Sequence, residues 1–189
     1  MRIISGKHKG RKIEFPKEAA QVIRPTSDFA REAIFNILTH GKHGLNGHTF
    51  MDKRVLDAFC GTGAFGLEAL SRGAAHVTFI DQAREAIATA KYNVERIGEL
   101  EQADFILANA SQLSKARKPY DLLFLDPPYN KKLLPPTLTS LHAGGWIAED
   151  GIVVIEHDEK EAVEIPAVFS KVDERRYGRA VLELLKLTP

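Results

Sequence analysis

The residue types at positions 126–129, Asp-Pro-Pro-Tyr, indicate a site that holds a flat ring bearing an amino group. They follow an apolar run at 122–125 that is short enough for a buried strand. The Asp126 carboxylate and the Pro127 carbonyl can each accept a hydrogen bond from an exocyclic amine, and Tyr129 can stack on the ring. A plain strand-ending turn is the alternative, but the whole pattern favours the functional interpretation. The candidate catalytic residues are Asp126, Pro127, Pro128 and Tyr129.

A glycine-rich turn at 57–66 is the second candidate site, because it follows another apolar strand and opens a helix. Gly61, Gly63 and Gly66 match the fingerprint of dinucleotide-binding turns, and S-adenosylmethionine fits the same pattern. Asp57 favours S-adenosylmethionine over NAD, because an acid at this point repels a pyrophosphate and attracts a sulfonium and an ammonium group. A carboxylate that only braces the turn is the alternative role for Asp57.

Polar residues at the ends of the next strands suit the rest of such a cofactor. Asp81, twenty residues after Gly61, can bind ribose hydroxyls. Gln82 can flank the adenine, and Asn109 suits an adenine contact and a plain turn equally well. Cys60 is interpreted as a small residue beside the cofactor and not as a nucleophile, since no base is placed next to it. The predicted cofactor-binding residues are Asp57, Phe59, Cys60, Gly61, Gly63, Asp81, Gln82, Asn109 and Asp126.

Alternating strands and helices must position these residues. Strands are predicted at 54–59, 76–81, 104–108, 121–126, 151–157, 168–173 and 180–187, and helices at 27–39, between the glycine turn and Arg72, at 83–97 and at 133–143. Residues 1–15 are predicted to form a β-hairpin. This order predicts an α/β fold with a mostly parallel seven-stranded sheet and an antiparallel C-terminal edge. Ligands of such sheets bind where the strand order reverses, so the two motifs are expected to be neighbours.

Length and composition set limits on the kind of protein. The 189 residues suit a single domain, with 1–50 as a basic extension and 51–189 as the core. One cysteine excludes an internal disulfide, and the scattered histidines predict no metal site. No signal peptide or membrane-length apolar run is recognisable, so a cytoplasmic protein is expected. The net charge is +1, but residues 1–24 carry +5, which indicates an anionic partner at this end.

Four segments resemble one family: residues 1–12, residues 24–38 around Arg-Pro-Thr-Ser-Asp, residues 56–74 and residues 124–129. They are similar to the bacterial guanine-N2 methyltransferases of small-subunit ribosomal RNA, the RsmD-like family. The resemblance implies a Rossmann-like class I methyltransferase, S-adenosylmethionine as the only cofactor, and a guanine amine of RNA in an assembled or assembling 30S particle as acceptor. A monomer is expected. The basic residues implied as RNA contacts are Arg2, Lys7, Lys9, Arg11, Lys12, Arg24 and Arg31.

Three other functions fit parts of the sequence. An amino-group methyltransferase acting on adenine in DNA, or on a protein glutamine, can use the same four catalytic residues. A non-catalytic RNA-binding assembly factor that keeps a donor pocket has no need of Asp126. An NAD enzyme is disfavoured by Asp57 and by the lack of a residue pair placed for hydride chemistry.

Overall fold

The computed structural model describes residues 1–15, 28–42 and 50–188. Its helices are α1 (Asp28–His40), α2 (Ala64–Ser71), α3 (Arg84–Ile97) and α4 (Leu134–Ala143). Its strands are β1 (Arg54–Ala58), β2 (His76–Asp81), β3 (Ala103–Leu107), β4 (Tyr120–Leu125), β5 (Ile147–Asp158), β6 (Phe169–Tyr177) and β7 (Ala180–Leu187). Within these residues, no helix has the length and apolar character needed to cross a membrane.

The seven strands form one sheet in the order β3-β2-β1-β4-β5-β7-β6. The first five strands are parallel, and β7 pairs antiparallel with both β5 and β6. The predicted sheet is therefore confirmed, including its antiparallel C-terminal edge. β1 pairs with β2 on one side and with β4 on the other, so the strand order reverses between β1 and β4.

Two apolar layers cover the two faces of the sheet, because side chains alternate along each strand. One layer holds Phe65 of α2 and Phe124 of β4, whose ring centroids are 4.7 Å apart, together with Ile34 and Leu38 of α1. The other layer packs α4 against β4 and β5. β5 begins four residues earlier than predicted, since Ile147 pairs with Tyr120 ahead of an irregularity in the register.

Residues 1–15, hereafter the N-terminal arm, pair as the predicted hairpin, although the paired part is short. One antiparallel bridge joins Arg2 and Lys12, and the backbone N–H groups of Ile3 and Ile13 donate across it to the carbonyls of Arg11 and Met1, at 2.9 and 3.1 Å. The backbone N–H groups of Ile4 and Ser5 donate to the Glu68 carboxylate of α2, at 2.8 and 3.0 Å. The backbone N–H groups of residues 7, 8 and 14 also bond to the body of the protein. These donors lie outside the cross-strand bonds and are satisfied by the body of the protein, so the hairpin is anchored to α2 and α3.

The close approach of α2 to the sheet depends on Gly66, the third glycine of the turn motif. A Cβ at this position would overlap the buried ring of Phe79 in β2 and also come 2.9 Å from Val77 Cγ1. We expect Gly66→Ala to lower the free energy of unfolding by about 1–3 kcal/mol in denaturant titrations, because neither neighbour has room to move. A double-mutant cycle with Phe79→Leu should recover part of this loss. Full additivity of the two substitutions would contradict the packing explanation.

Candidate functional site

The two sequence motifs lie side by side at the carboxyl end of the sheet. Ala58 at the end of β1 is in register with Leu125 at the end of β4, so the glycine turn and Asp126 leave adjacent strands together. The reversal of strand order falls between these two strands. The expected proximity of the motifs is therefore confirmed, at the type of position where open α/β sheets bind ligands.

The glycine turn is a left-handed loop held by two carboxylates. Phe59, Gly61 and Gly63 have φ values of 62°, 53° and 79°. The backbone N–H of Gly61 donates to Asp81 Oδ2 at 3.0 Å, and that of Gly66 donates to Asp57 Oδ2 at 2.9 Å. A Cβ on Gly61 would project into open space. Glycine is therefore needed there for the backbone conformation and leaves the surface of the turn open to a ligand.

A small cleft opens beside this turn, lined by Phe59, Asp81, Gln82, Ala108, Asn109 and Ala110. The structure thus brings together four residues predicted to bind the cofactor: Phe59, Asp81, Gln82 and Asn109. The Asn109 side chain also accepts a hydrogen bond from the backbone N–H of Ser111, at 3.0 Å. This bond matches the turn role that was considered for Asn109. Because Asn109 also lines the cleft, its side chain is placed where it could contact an adenine.

Asp57 is buried beneath the turn and is 2% exposed. Burial raises the pKa of its carboxyl to about 8, the hydrogen bond from Gly66 opposes this shift, and the nearby charge of Asp81 adds to it. The carboxyl is therefore largely protonated at neutral pH when no cation is near. This finding weakens the sequence argument against NAD, because a neutral acid repels a pyrophosphate far less than a charged one.

Cys60 is buried within the turn, and its backbone N–H donates to the carbonyl of Ile80 at 3.0 Å. Burial and the neighbouring carboxylates Asp57 and Asp81 raise the pKa of its thiol. A thiol with a raised pKa is a poor nucleophile. The geometry is therefore consistent with the interpretation of Cys60 as a small packing residue.

A second, small cleft lies next to Asp126 and is called the acceptor cleft below. Its lining residues are Ile34, Phe65, Phe124, Leu125, Asp126, Val154, Glu156 and Leu182. Tyr129 is half-buried, and its hydroxyl donates to Glu156 Oε1 at 2.9 Å. Burial and the charge of Glu156 raise the pKa of Tyr129, so the phenol stays protonated and the ring is held by this bond. A carboxylate, an anchored aromatic ring and apolar walls thus meet at one place.

Comparison with known proteins identifies the relatives of this chain. The family described as "Conserved hypothetical protein 95" matches residues 1–186. The chain belongs to this family. It is 32% identical over 188 residues to the "Ribosomal RNA small subunit methyltransferase D" of Escherichia coli, covering 97% of this chain and 88% of that one. The RsmD-like family predicted from the sequence is therefore confirmed.

Two further relatives agree with this assignment. The chain is 36% identical over 170 residues to the "Putative rRNA methyltransferase YlbH" of Bacillus subtilis, with 88% and 86% of the two chains covered. The solved structure of the "Putative methyltransferase yhhF" of E. coli superposes with a TM-score of 0.81 at 32% identity, covering 99% of this chain and 97% of that one. The fold is thus the Rossmann-like class I methyltransferase fold of this family.

The basic residues predicted to contact RNA differ in how available they are. Lys9 and Arg11 are exposed on the N-terminal arm, and exposed Arg2 donates to the carbonyl of Gly10 at 2.8 Å. Lys7 lies 2.7 Å from Glu99, and Lys12 lies 3.4 Å from Glu14. Arg24 lies outside the described residues.

Arg31 has a different environment from the one expected of an RNA contact. It is fully buried, and its guanidinium donates to the carbonyl of Arg2 at 2.6 Å and to the sulfur of Met1. In this structure its side chain is therefore out of reach of a phosphate and instead fastens the N-terminal arm to α1. The sequence analysis missed this anchoring role, and it also missed the matching role of Glu68 on α2. A buried position for a charged residue was readable only from its place on the apolar face of α1.

Proposed function

We propose that the protein transfers a methyl group from S-adenosylmethionine to the exocyclic N2 amine of a guanine in small-subunit ribosomal RNA. The observation that carries the proposal is the placement of Asp126 beside the glycine turn at the reversal of strand order. The similarity to a ribosomal RNA small-subunit methyltransferase over nearly the whole chain supports RNA as the acceptor. The preference for guanine N2 comes from the resemblance of the motifs to the RsmD-like family.

The residues around the glycine turn fit S-adenosylmethionine. The open surface above Gly61 admits a ligand close to the backbone, and Asp81 and Asn109 line the same cleft. Asp81 would hold the ribose hydroxyls, Gln82 and Asn109 would flank the adenine, and Asp57 would face the cationic end. When bound, the cofactor supplies a methyl group on a positively charged sulfur, which is electrophilic without help from the protein.

Asp126 and Pro127 prepare the acceptor nitrogen. The lone pair of a guanine amine is delocalised into the ring, so the amine is a poor nucleophile. Two acceptors, the Asp126 carboxylate and the Pro127 carbonyl, bind both amine hydrogens and favour a more tetrahedral nitrogen with its lone pair free to react. Positioning of this kind supplies much of the rate acceleration. The proton leaves after methylation, when the nitrogen is far more acidic, so no strong base is required.

Tyr129 compensates for removing the target base from its stack. A base inside an RNA helix cannot reach a cleft at the end of a sheet, so it must turn out of the helix. Stacking on an aromatic ring is worth about 1–3 kcal/mol per base. The bond from the Tyr129 hydroxyl to Glu156 fixes this ring in place before the base arrives, which lowers the entropic cost of stacking.

Labelled S-adenosylmethionine offered with three acceptors tests the proposal. The acceptors are naked ribosomal RNA, small subunits that lack the modification, and DNA. We expect label in RNA or small subunits, recovered by mass spectrometry as N2-methylguanosine. Methylated adenine would establish the adenine alternative, and cofactor binding without transfer to any acceptor would establish the assembly-factor alternative. The comparison of naked RNA with subunits also tests the proposed 30S substrate.

The N-terminal arm is proposed to bind RNA phosphates through its exposed cations. It runs along α2 from Ser71, which accepts from the backbone of Lys7, to the glycine turn, where Asn93 joins Glu14 to Thr62. We expect the double substitution Lys9→Glu and Arg11→Glu to weaken RNA binding and to lower the slope of log affinity against log salt by about 1 per residue. Cofactor affinity should not change.

A charge-matched control is available on another part of the surface. Lys115 and Arg117 are exposed and precede β4, at the end of that strand opposite to Asp126. Changing both to glutamate alters the net charge by the same amount as the arm variant. Equal losses of RNA affinity in the two variants, measured by filter binding at several salt concentrations, would contradict a specific role for the arm.

A further inference from the structure

Glu156 shares the acceptor cleft with Asp126, although no motif in the sequence singles it out. Leu125 of β4 is in register with Ile155 of β5. Asp126 and Glu156 come directly after these two paired residues, so the two acids are neighbours across the sheet. The Glu156 side chain lies on the same face of the sheet as Phe124 and Val154 and is 5% exposed. It is therefore a buried acid beside the group proposed to bind the acceptor amine.

The Glu156 carboxylate is held in one orientation inside the fold. Tyr129 donates to one of its oxygens at 2.9 Å, which fixes the orientation of the group. A buried and oriented carboxylate binds a matching donor strongly and discriminates against a ligand that places a lone pair at the same point.

Guanine and other purines differ at the atom next to the proposed acceptor amine. Guanine carries a donor, N1–H, beside its N2 amine. Adenine and 2-aminopurine carry an unprotonated N1, which only accepts. Enzymes that bind an extruded base read it through hydrogen bonds to this edge. With Asp126 and Pro127 engaged by the amine, a second carboxylate in the same cleft has N1–H as its natural partner.

We propose that Glu156 selects guanine over other amine-bearing purines by accepting a hydrogen bond from N1–H. This inference rests on the proposed function. It makes Glu156 a specificity residue of the acceptor cleft, while Asp126 holds the amine that reacts. A purely structural role, in which Glu156 only holds Tyr129, predicts no preference between bases that share the C2 amine.

Replacement of the target guanosine by 2-aminopurine separates the two roles, because 2-aminopurine keeps the C2 amine and lacks N1–H. The substrate is small-subunit RNA joined from fragments, naked or assembled, whichever form the wild-type protein methylates. We expect the wild type to prefer guanosine by at least about 100-fold in kcat/KM. In Glu156→Gln, whose amide can donate to N1, this ratio should fall at least about tenfold.

Tyr129→Phe is the matched control, because it removes the bond to Glu156 and keeps the carboxylate. It should slow both substrates and retain most of the guanosine preference. An unchanged ratio in Glu156→Gln, or an equal fall of the ratio in Tyr129→Phe, would overturn the inference. If Glu156→Gln does not fold, judged by its melting temperature and cofactor affinity, Glu156→Asp should slow guanosine more than 2-aminopurine. A wild type that methylates no guanine would refute the proposed function itself, which is a different result.

Discussion

Replacing Asp126 by alanine is expected to lower the rate of methyl transfer by about 10³-fold or more. The substitution removes one of the two acceptors proposed for the guanine amine, so the nitrogen keeps its lone pair in the ring. Asp126, which the sequence analysis also grouped with the cofactor-binding residues, lines the acceptor cleft and not the cleft beside the glycine turn. The affinity for S-adenosylmethionine should therefore stay within about threefold of wild type, well under 1 kcal/mol.

Asp126→Asn is the matched variant for this prediction. Its amide oxygen can still accept one hydrogen bond from the amine, so we expect activity between that of wild type and that of Asp126→Ala. Single-turnover rates at saturating cofactor measure the chemical step, and calorimetric titration measures cofactor binding. A large loss of cofactor affinity together with the loss of rate would contradict the proposal that one cleft binds the cofactor and the other binds the acceptor amine.

The second prediction with a large expected effect concerns Asp57 and the pH dependence of cofactor binding. The pKa of this buried carboxyl is raised to about 8, so it holds a proton at neutral pH in the free protein. A bound sulfonium and ammonium favour the charged form, and binding should then release this proton. Between pH 5.5 and 7.5 we expect the affinity for S-adenosylmethionine to rise by up to about tenfold per pH unit.

Asp57→Asn isolates this effect, because its amide oxygen can still accept from the Gly66 N–H while the side chain no longer titrates. Its cofactor affinity should be lower than wild type by about tenfold or more at pH 7.5 and should be flat across the same pH range. Calorimetry in buffers of different ionisation enthalpy counts the released proton directly. A flat profile in the wild type would leave Asp57 with only its role in bracing the turn.

The contribution of Asp57 to the stability of the fold should change with pH in the opposite direction to its contribution to cofactor affinity. A raised folded-state pKa means that the native protein keeps a proton that the unfolded chain has lost between about pH 4 and 8. The contribution of Asp57 to the free energy of unfolding therefore falls as the pH rises through this window. Relative to wild type, Asp57→Asn should gain stability from pH 4.5 to 7.5 in denaturant titrations, and a constant difference across this range would contradict the prediction.

The alternation of strands and helices was readable from the sequence because each apolar run has the length and period of its element. The glycine turn and Asp-Pro-Pro-Tyr were readable because each motif is a short continuous stretch with unusual local chemistry. The proximity of the two motifs followed from the general rule on where parallel sheets bind ligands, and the register of Ala58 with Leu125 confirms it.

The contacts that dock the N-terminal arm on the body of the protein were not predicted from the sequence. The pattern of residues 1–15 predicted their antiparallel pairing, but it did not predict that the backbone donors of Ile4 and Ser5 bind a buried carboxylate more than sixty residues away. Arg31 was grouped with the RNA-binding cations for its charge, whereas its depth in the fold depends on where the arm docks. The bonds to Glu68 have no signal within residues 1–15, and the only signal for the burial of Arg31 is its place on the apolar face of α1.

By itself, the sequence determined the strands, the helices and the two motifs, because these depend on residues close together along the chain. Only the tertiary structure decided that Glu156 joins Asp126 in one cleft, that Asp57 is buried enough to hold a proton, and that Arg31 is an anchor. These properties depend on contacts between segments far apart in the chain. Burial and charge environment are set by such contacts, so a residue's type alone does not reveal its pKa, its partners or its exposure.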